Sequence, residues 1–323
     1  MRIFKCPSCG EPLYFHNLSC SCGAEVAYEP DAEAFVTGAA PCPNRPTIDC
    51  NWTAAQDGGL CRACAMTRTV PDAFQGDNRS LWTQAELAKR WVLANLGRWG
   101  WFKEADQGPR PVFDLLSETT ASGDVQVTMG HDSGLVTINV AEADPETRVS
   151  RREGLGEKYR TMVGHFRHEL GHFFFERMSR DEAFLDRFRV LFGDERADYG
   201  EALKAHYARA DGDEAPPAEH ITNYATAHPH EDWAETFAHL LHLADITDSF
   251  VAAGLHSPTL AEGTYDSYQE TDSEQLLTVA AELGIALNHV NRSMGHSDLY
   301  PFVISAPVRE KLGFVHEWIR EPR

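Results

Sequence analysis

The chain has 323 residues, enough for one sizeable core and a smaller module, and its 42% hydrophobic content is ordinary for a globular protein in water. A formal charge of −20 argues against general affinity for nucleic acid, which draws on clustered lysine and arginine. No apolar stretch is long enough to cross a bilayer, and Met1-Arg2-Ile3-Phe4-Lys5-Cys6 carries no apolar run of a secretory signal, so the expectation is a cytoplasmic protein with neither membrane nor nucleic acid as partner.

All eight cysteines lie at or before Cys64. In a reducing compartment they are expected as thiolates on metal rather than as disulfides. The chain opens with Cys6-Pro7-Ser8-Cys9-Gly10 and then Cys20-Ser21-Cys22-Gly23. Each pair reads as a knuckle whose closing glycine permits a tight turn aiming backbone amides at the sulfurs, and Cys6, Cys9, Cys20 and Cys22 together complete a first structural zinc site of a zinc ribbon. A redox dithiol would want a β-α-β context, which this segment lacks.

Residues 28–40 read as an acidic, alanine-rich connector. Cys42, Cys50, Cys61 and Cys64 then supply a second structural zinc site if ligands pair in sequence order, although an interleaved pairing of the two sets stays open. So small a module buries too little apolar surface to fold alone, so metal binding is expected to provide much of its stability. The sequence predicts a zinc-ribbon domain over residues 1–72, which offers a surface for a protein partner, and a second domain over 73–323.

In the second domain Thr83-Gln84-Ala85-Glu86 reads as a capping box opening a helix through Leu87, Trp91, Val92 and Leu96 to Gly97. Trp91, Trp99 and Trp101 read as core or interface. Strands are expected over 112–116, 125–129 and 135–141, the last from alternation of Val136, Ile138 and Val140 with Thr137 and Asn139. The edge of such a sheet can accept an extended peptide by strand addition. Arg151-Arg152 reads as a solvated pair.

The centre of the chain is Arg167-His168-Glu169-Leu170-Gly171-His172. Two imidazoles four residues apart on a helix lie on one face and can reach one metal ion, with the intervening glutamate beside it. Met162, Phe166, Leu170, Phe173 and Phe174 form the core-facing stripe this helix needs, and His165, His168, Glu169, His172 and Glu176 fall on the other side. In that arrangement zinc supplies an acidic water and Glu169 is the base that takes its proton. His165, one turn before His168, is read either as a contact of substrate or ligand shell or as a satisfied structural histidine.

A third ligand must come from elsewhere. Helices are expected over 182–191 and 197–208, followed by a loop at 209–220 with acids and prolines. In the stretch Tyr224 to His239, Pro229 suits a first helical turn and Trp233, Ala234, Phe237, Leu240 and Leu241 form its buried stripe. Glu231 and Glu235 then stack one turn apart: one carboxylate can bind the metal while the other hydrogen-bonds the free ring nitrogen of a ligand histidine. Two more helices are expected over 273–288 and 308–319. Arg292, between them, is read either as orienting a peptide carboxylate or carbonyl or, preferably, as packing under the site.

The ribbon, the run Gly164-His165-Phe166-Arg167-His168-Glu169-Leu170-Gly171-His172 and the run His228-Pro229-His230-Glu231-Asp232-Trp233-Ala234-Glu235-Thr236-Phe237-Ala238-His239 resemble the bacterial zinc-binding metallopeptidase family that carries a zinc-ribbon domain. Asn291-Arg292-Ser293-Met294-Gly295 and Asp298-Leu299-Tyr300-Pro301-Phe302 extend the likeness nearly to the end of the chain. The family is similar to the gluzincins, in which two histidines and a glutamate hold zinc. The resemblance implies an α+β fold: a zincin-type metallopeptidase domain, mostly helical with a small mixed sheet, preceded by a zinc ribbon. Lethal-factor-like gluzincins place a transition-state tyrosine seven residues before the ligand glutamate, an aromatic two positions after it, alanine three after and an acid four after. Tyr224, Glu231, Trp233, Ala234 and Glu235 match that pattern, which implies Glu231 as ligand, Glu235 behind a ligand histidine and Tyr224 as the donor to the oxyanion. The activity implied is cleavage of a peptide or protein substrate with one catalytic and two structural zinc ions.

Overall fold

The structure, a computed structural model, describes residues 1–155, 161–208, 216–255, 265–300, 303–320 and 322. It is an α+β chain in two compact units, the first comprising residues 1–151, 161–166 and 322 and the second the rest of the described residues.

The first unit begins with two small antiparallel hairpins, β1 (Phe4–Lys5) with β2 (Pro12–Leu13) and β3 (Ala27–Glu29) with β4 (Ala34–Val36). The second hairpin occupies the segment expected as a connector. Its acidic tip hides an apolar face: Tyr28 and Phe35 are buried, and Phe4, Phe15 and Phe35 ring Tyr28 at centroid distances of 5.1–5.9 Å. Two single-turn helices, α1 (Arg45–Ile48) and α2 (Arg62–Ala65), carry the chain to β5 (Thr67–Thr69).

The long helix α3 (Asn78–Gly97) starts five residues before the expected capping box. Thr83 is interior to it and bonds the Arg79 carbonyl one turn back at 2.8 Å, while Glu86 is drawn into a buried cluster with Lys89 and Thr67, each at 2.8 Å from its Oε1. Thr83 is thus satisfied within the helix, and Glu86 is taken up by a tertiary contact to Thr67. Lys89 lies over the Phe113 ring at 5.2 Å, and the Arg90 guanidinium reaches the Asp49 carbonyl at 3.3 Å.

A four-stranded mixed sheet has the order β5, β6 (Val112–Leu116), β10 (Leu135–Asn139), β9 (Gly130–Asp132), with β7 (Thr119–Thr120) and β8 (Gly123–Asp124) forming a separate hairpin. β5 runs parallel to β6 and β6 parallel to β10, Phe113 opposite Val136 and Leu115 opposite Ile138, and β9 closes the edge antiparallel. The strand expected over 125–129 does not form. Val125 is 48% exposed with no core to face, and pairing with β10 falls on Gly130–Asp132 instead. The last strand also stops early, because the Asn139 side chain accepts from the Ala141 amide at 3.0 Å and turns the chain into a 3-10 segment, Val140–Ala143. Helix α4 (Pro145–Leu155) follows. Arg151, expected in solvent, instead bridges Glu142 and Glu118 at 2.8 Å each.

Helix α5 (Met162–Met178) spans the motif at the centre of the chain, and its predicted stripe of Met162, Phe166, Leu170, Phe173 and Phe174 is buried throughout. The second unit is helical: α6 (Glu182–Phe192), α7 (Tyr199–Tyr207), a 3-10 turn Tyr224–Thr226, α8 (Pro229–Ala252), α9 (Ser273–Ser293) and α10 (Ala306–Ile319). Trp233 of α8 is its hub, with Phe184 and Phe192 of α6 at 5.2 and 5.8 Å and Phe314 of α10 at 6.0 Å. Part of the loop expected at 209–220 and Pro301-Phe302 lie outside the described residues. Arg292 does not pack under anything: its side chain is 65% exposed and forks onto Asp298 at 2.6 and 2.7 Å.

Candidate metal centres

The cysteines gather into two sets in sequence order, Cys6, Cys9, Cys20, Cys22 and Cys42, Cys50, Cys61, Cys64, with no interleaving. All eight are free thiols. Sulfur separations are 3.9 Å for Cys6 to Cys22, 3.6 Å for Cys9 to Cys20, 3.6 Å for Cys50 to Cys61 and 3.7 Å for Cys50 to Cys64. Four thiolates at ~2.3 Å from a tetrahedral zinc stand roughly 3.8 Å apart, so both sets fit zinc and neither fits a disulfide. The first set sits in two knuckles closed by Gly10 and Gly23 at φ +81° and +85°, a conformation that a side chain would strain. The second is built on α2, where the Cys61 sulfur accepts from the Cys64 amide at 3.4 Å. It is buried at all four positions, whereas Cys9 and Cys22 of the first set are exposed.

In the second unit α5 and α8 bring three further donors together. His168 Nε2 and His172 Nε2 are 3.2 Å apart, and Glu231 Oε2 lies 3.0 Å from the first and 3.4 Å from the second. Ligands at ~2.05 Å from a tetrahedral ion stand roughly 3.3 Å apart, so the three atoms outline one face of a tetrahedron with the fourth corner open. Glu231 is 1% exposed and its Oε2 is buried without a hydrogen-bond partner, a costly state for a carboxylate unless a cation compensates it. The donor set and its spacing fit zinc.

Close helix packing creates this convergence. Gly171 lies between the two histidines, and a Cβ added there would stand 2.9 Å from the Ala234 Cα, so only glycine lets α5 come so near α8. The Trp233 indole N–H donates to the Gly171 carbonyl at 2.8 Å and fixes the approach. One residue before His168, the buried Arg167 guanidinium binds Asp245 at 2.6 Å and contacts His242 at 2.9 Å, tying the two helices a second time.

Glu235 Oε1 meets His168 Nδ1 at 2.7 Å, and the Thr222 hydroxyl donates to Glu235 Oε2 at 2.8 Å. With Nδ1 donating, the Nε2 lone pair is free to face the ion. Burial pulls the His168 imidazole down, but Glu231 and Glu235 outweigh it and hold it well above its ordinary value. For Glu231 burial pushes up, and His168 and His172 outweigh that, holding the carboxyl well below the usual range.

Glu169, between the histidines, is 7% exposed. The Tyr224 ring lies 5.8 Å from the His168 ring, and burial followed by the Glu231 charge raises its phenol well above the ordinary value, so it stays a donor. His165 lies in the first unit, with its Nε2 3.4 Å from Glu142 Oε2. Two contributors escaped the sequence reading. Thr222 sits just before Tyr224, and Tyr199, at the start of α7, donates its hydroxyl to Glu231 Oε1 at 2.5 Å. Tyr199 lies thirty-two residues before Glu231, and no helical spacing connects the two.

A zinc ribbon followed by a metallopeptidase domain is therefore the class that the fold and the donor sets define. The chain belongs to the family described as "Putative zinc-binding metallo-peptidase", whose model matches residues 78–318, and a zinc-ribbon model matches residues 3–40. It is 38% identical to an uncharacterized protein of Mycobacterium bovis and to uncharacterized proteins of two strains of Mycobacterium tuberculosis, covering 99% of this chain and 96% of each relative. No solved structure matches the chain. Among the described residues no helix is long and apolar enough to cross a membrane.

Proposed function

We propose that the protein is a gluzincin-like zinc peptidase that hydrolyses peptide bonds in a peptide or protein substrate. The observation that carries this reading is the triangle of His168 Nε2, His172 Nε2 and Glu231 Oε2, 3.0–3.4 Å on a side, with a carboxylate on the outer nitrogen of His168. His168, His172 and Glu231 would hold a zinc ion, which would supply a Lewis acid and make a water acidic enough to react near neutral pH. Glu169 accepts the proton of that water on its carboxylate and later delivers it to the leaving amine. Tyr224 donates to the oxyanion that develops on the scissile carbonyl, a contribution typically worth ~3 kcal/mol. Glu235 and Thr222 hold His168 in the tautomer the site needs.

The cysteine sites are read as closed and structural. Their four donors leave no corner for substrate, and the ribbon over residues 1–72 is proposed to recruit a protein partner for the catalytic domain over 73–323. Glu169→Gln tests the reading. The variant is expected to keep its third zinc ion while cleavage of a denatured protein mixture falls at least ~1,000-fold. Undiminished cleavage would remove Glu169 from the mechanism, and absence of cleavage in wild type and variant alike would favour a binding protein that uses the zincin fold as a scaffold.

A further inference from the structure

We propose that Tyr199 is a positioning residue for the metal centre, holding Glu231 in the one orientation that presents a single oxygen to the two imidazoles. The inference rests on the metal-centre reading above and adds to it a residue that neither motif nor spacing marks.

The terminal torsion of a glutamate is broad and nearly two-fold, so a carboxylate with nothing on its outer oxygen can rotate freely between presenting one oxygen and presenting both. Here the two oxygens are treated differently. Oε1 receives the Tyr199 hydroxyl at 2.5 Å, and Oε2, with no hydrogen-bond partner, is left facing His168 and His172. Among the described residues the Tyr199 phenol supplies that lock from a separate helix. A carboxylate oxygen accepts, so only a donor can occupy this place, and the phenol O–H is one.

The lock is itself held at two points. Tyr199 opens α7, whose first turn is capped by Asp198 through the Glu201 amide at 2.9 Å. His228, the residue that caps α8 through the His230 amide, reaches back with Nε2 to the Ala197 carbonyl at 3.0 Å, and its ring meets the Tyr199 ring edge-on at 5.2 Å. Two contacts, from Ala197 to His228 and from Tyr199 to Glu231, therefore clip the start of α7 to the first turn of α8. The His-Pro step before Glu231 gains a role from this: Pro229 starts the helix, and His228 hooks the segment that brings the phenol.

Tyr199→Phe removes the hydroxyl and keeps the ring against His228. The full chain is loaded with zinc on its cysteines and titrated with cobalt at the third site against a chromophoric chelator. The expected result is a third-site affinity lower by roughly 10–100-fold, the range usual for a residue that orients a ligand, together with a changed visible cobalt band and two cysteine-bound ions intact. A cobalt affinity and band equal to wild type would overturn the clamp. Only two ions per chain in the wild type would instead overturn the metal-centre reading beneath it.

Discussion

The cysteine clusters and the histidine–glutamate triangle offer their donors to a metal in opposite ways. Each cysteine cluster takes four donors from knuckles, short turns and one single-turn helix, fills every corner of a tetrahedron and leaves no place for a reactant. The histidine–glutamate centre takes three donors from two long helices, leaves the fourth corner open and surrounds itself with groups that donate or accept protons: Glu169, Tyr224, Tyr199 and Glu235. A thiolate cluster brings its own charge balance close to the ion, whereas the mixed centre depends on how near two helices can approach. On the function proposed above, stability is the task of the first kind of site and chemistry that of the second.

Glu231→Ala should break that contrast most severely. The third ion and all cleavage are expected to be lost while two ions per chain remain, as read by metal analysis after gel filtration; Glu235→Ala should keep the ion with an affinity lower by roughly 10–100-fold. If the two variants exchange phenotypes, the ligand is Glu235. Gly171→Ala sharpens the contrast at the level of packing. The new methyl would stand 2.9 Å from the Ala234 backbone, which cannot rotate away, so a loss of about 1–3 kcal/mol is expected, with weaker binding of the third ion and unchanged cysteine-bound zinc. An equal loss at the cysteine sites would show that helix separation is not what sets the centre apart.

The smallest effect belongs to neither kind of site. His316 of α10 is fully buried, with Nδ1 2.9 Å from the Ser273 hydroxyl at the start of α9, and burial together with Arg320 pulls it down to about 4. An unfolded histidine titrates near ~6.5, so between these values the unfolded chain binds a proton that the native one refuses. Native stability therefore falls as pH drops from about 6.5 towards 4. His316→Gln should flatten that fall, shrinking the difference in thermal midpoint between pH 7.5 and pH 5 by a few degrees; a profile that keeps its wild-type slope would assign the acid sensitivity to other groups.

What could be read from the sequence follows the range of the interaction. The α5 stripe, the two imidazoles four residues apart and the Pro229 start of α8 are local, set by helical period and cap chemistry, and they appear where expected. Both acids on α8 are visible too, and the division of labour expected of them comes from a family pattern rather than from geometry. The failures lie where a local signal met a distant partner. Thr83 and Glu86 have the spacing of a cap, yet Glu86 serves a buried lysine and Thr67 on another element. Residues 28–40 look acidic because their solvent face is, and the buried pair Tyr28 and Phe35 shows only once Phe4 and Phe15 are folded against it. Tyr199 is the extreme case, a contact defined wholly by the fold.

The strand β5, only three residues long, constrains any attempt to divide the chain. It starts three residues after the last cysteine, Cys64, and lies beside β6 at one margin of the mixed sheet. A fragment begun at residue 73 would shed it and leave the amides and carbonyls on that side of β6 bare, ready to recruit a strand from another molecule. Excision of the metallopeptidase part should therefore preserve Thr67–Thr69, or it will yield an adhesive protein whose self-association says nothing about the native one.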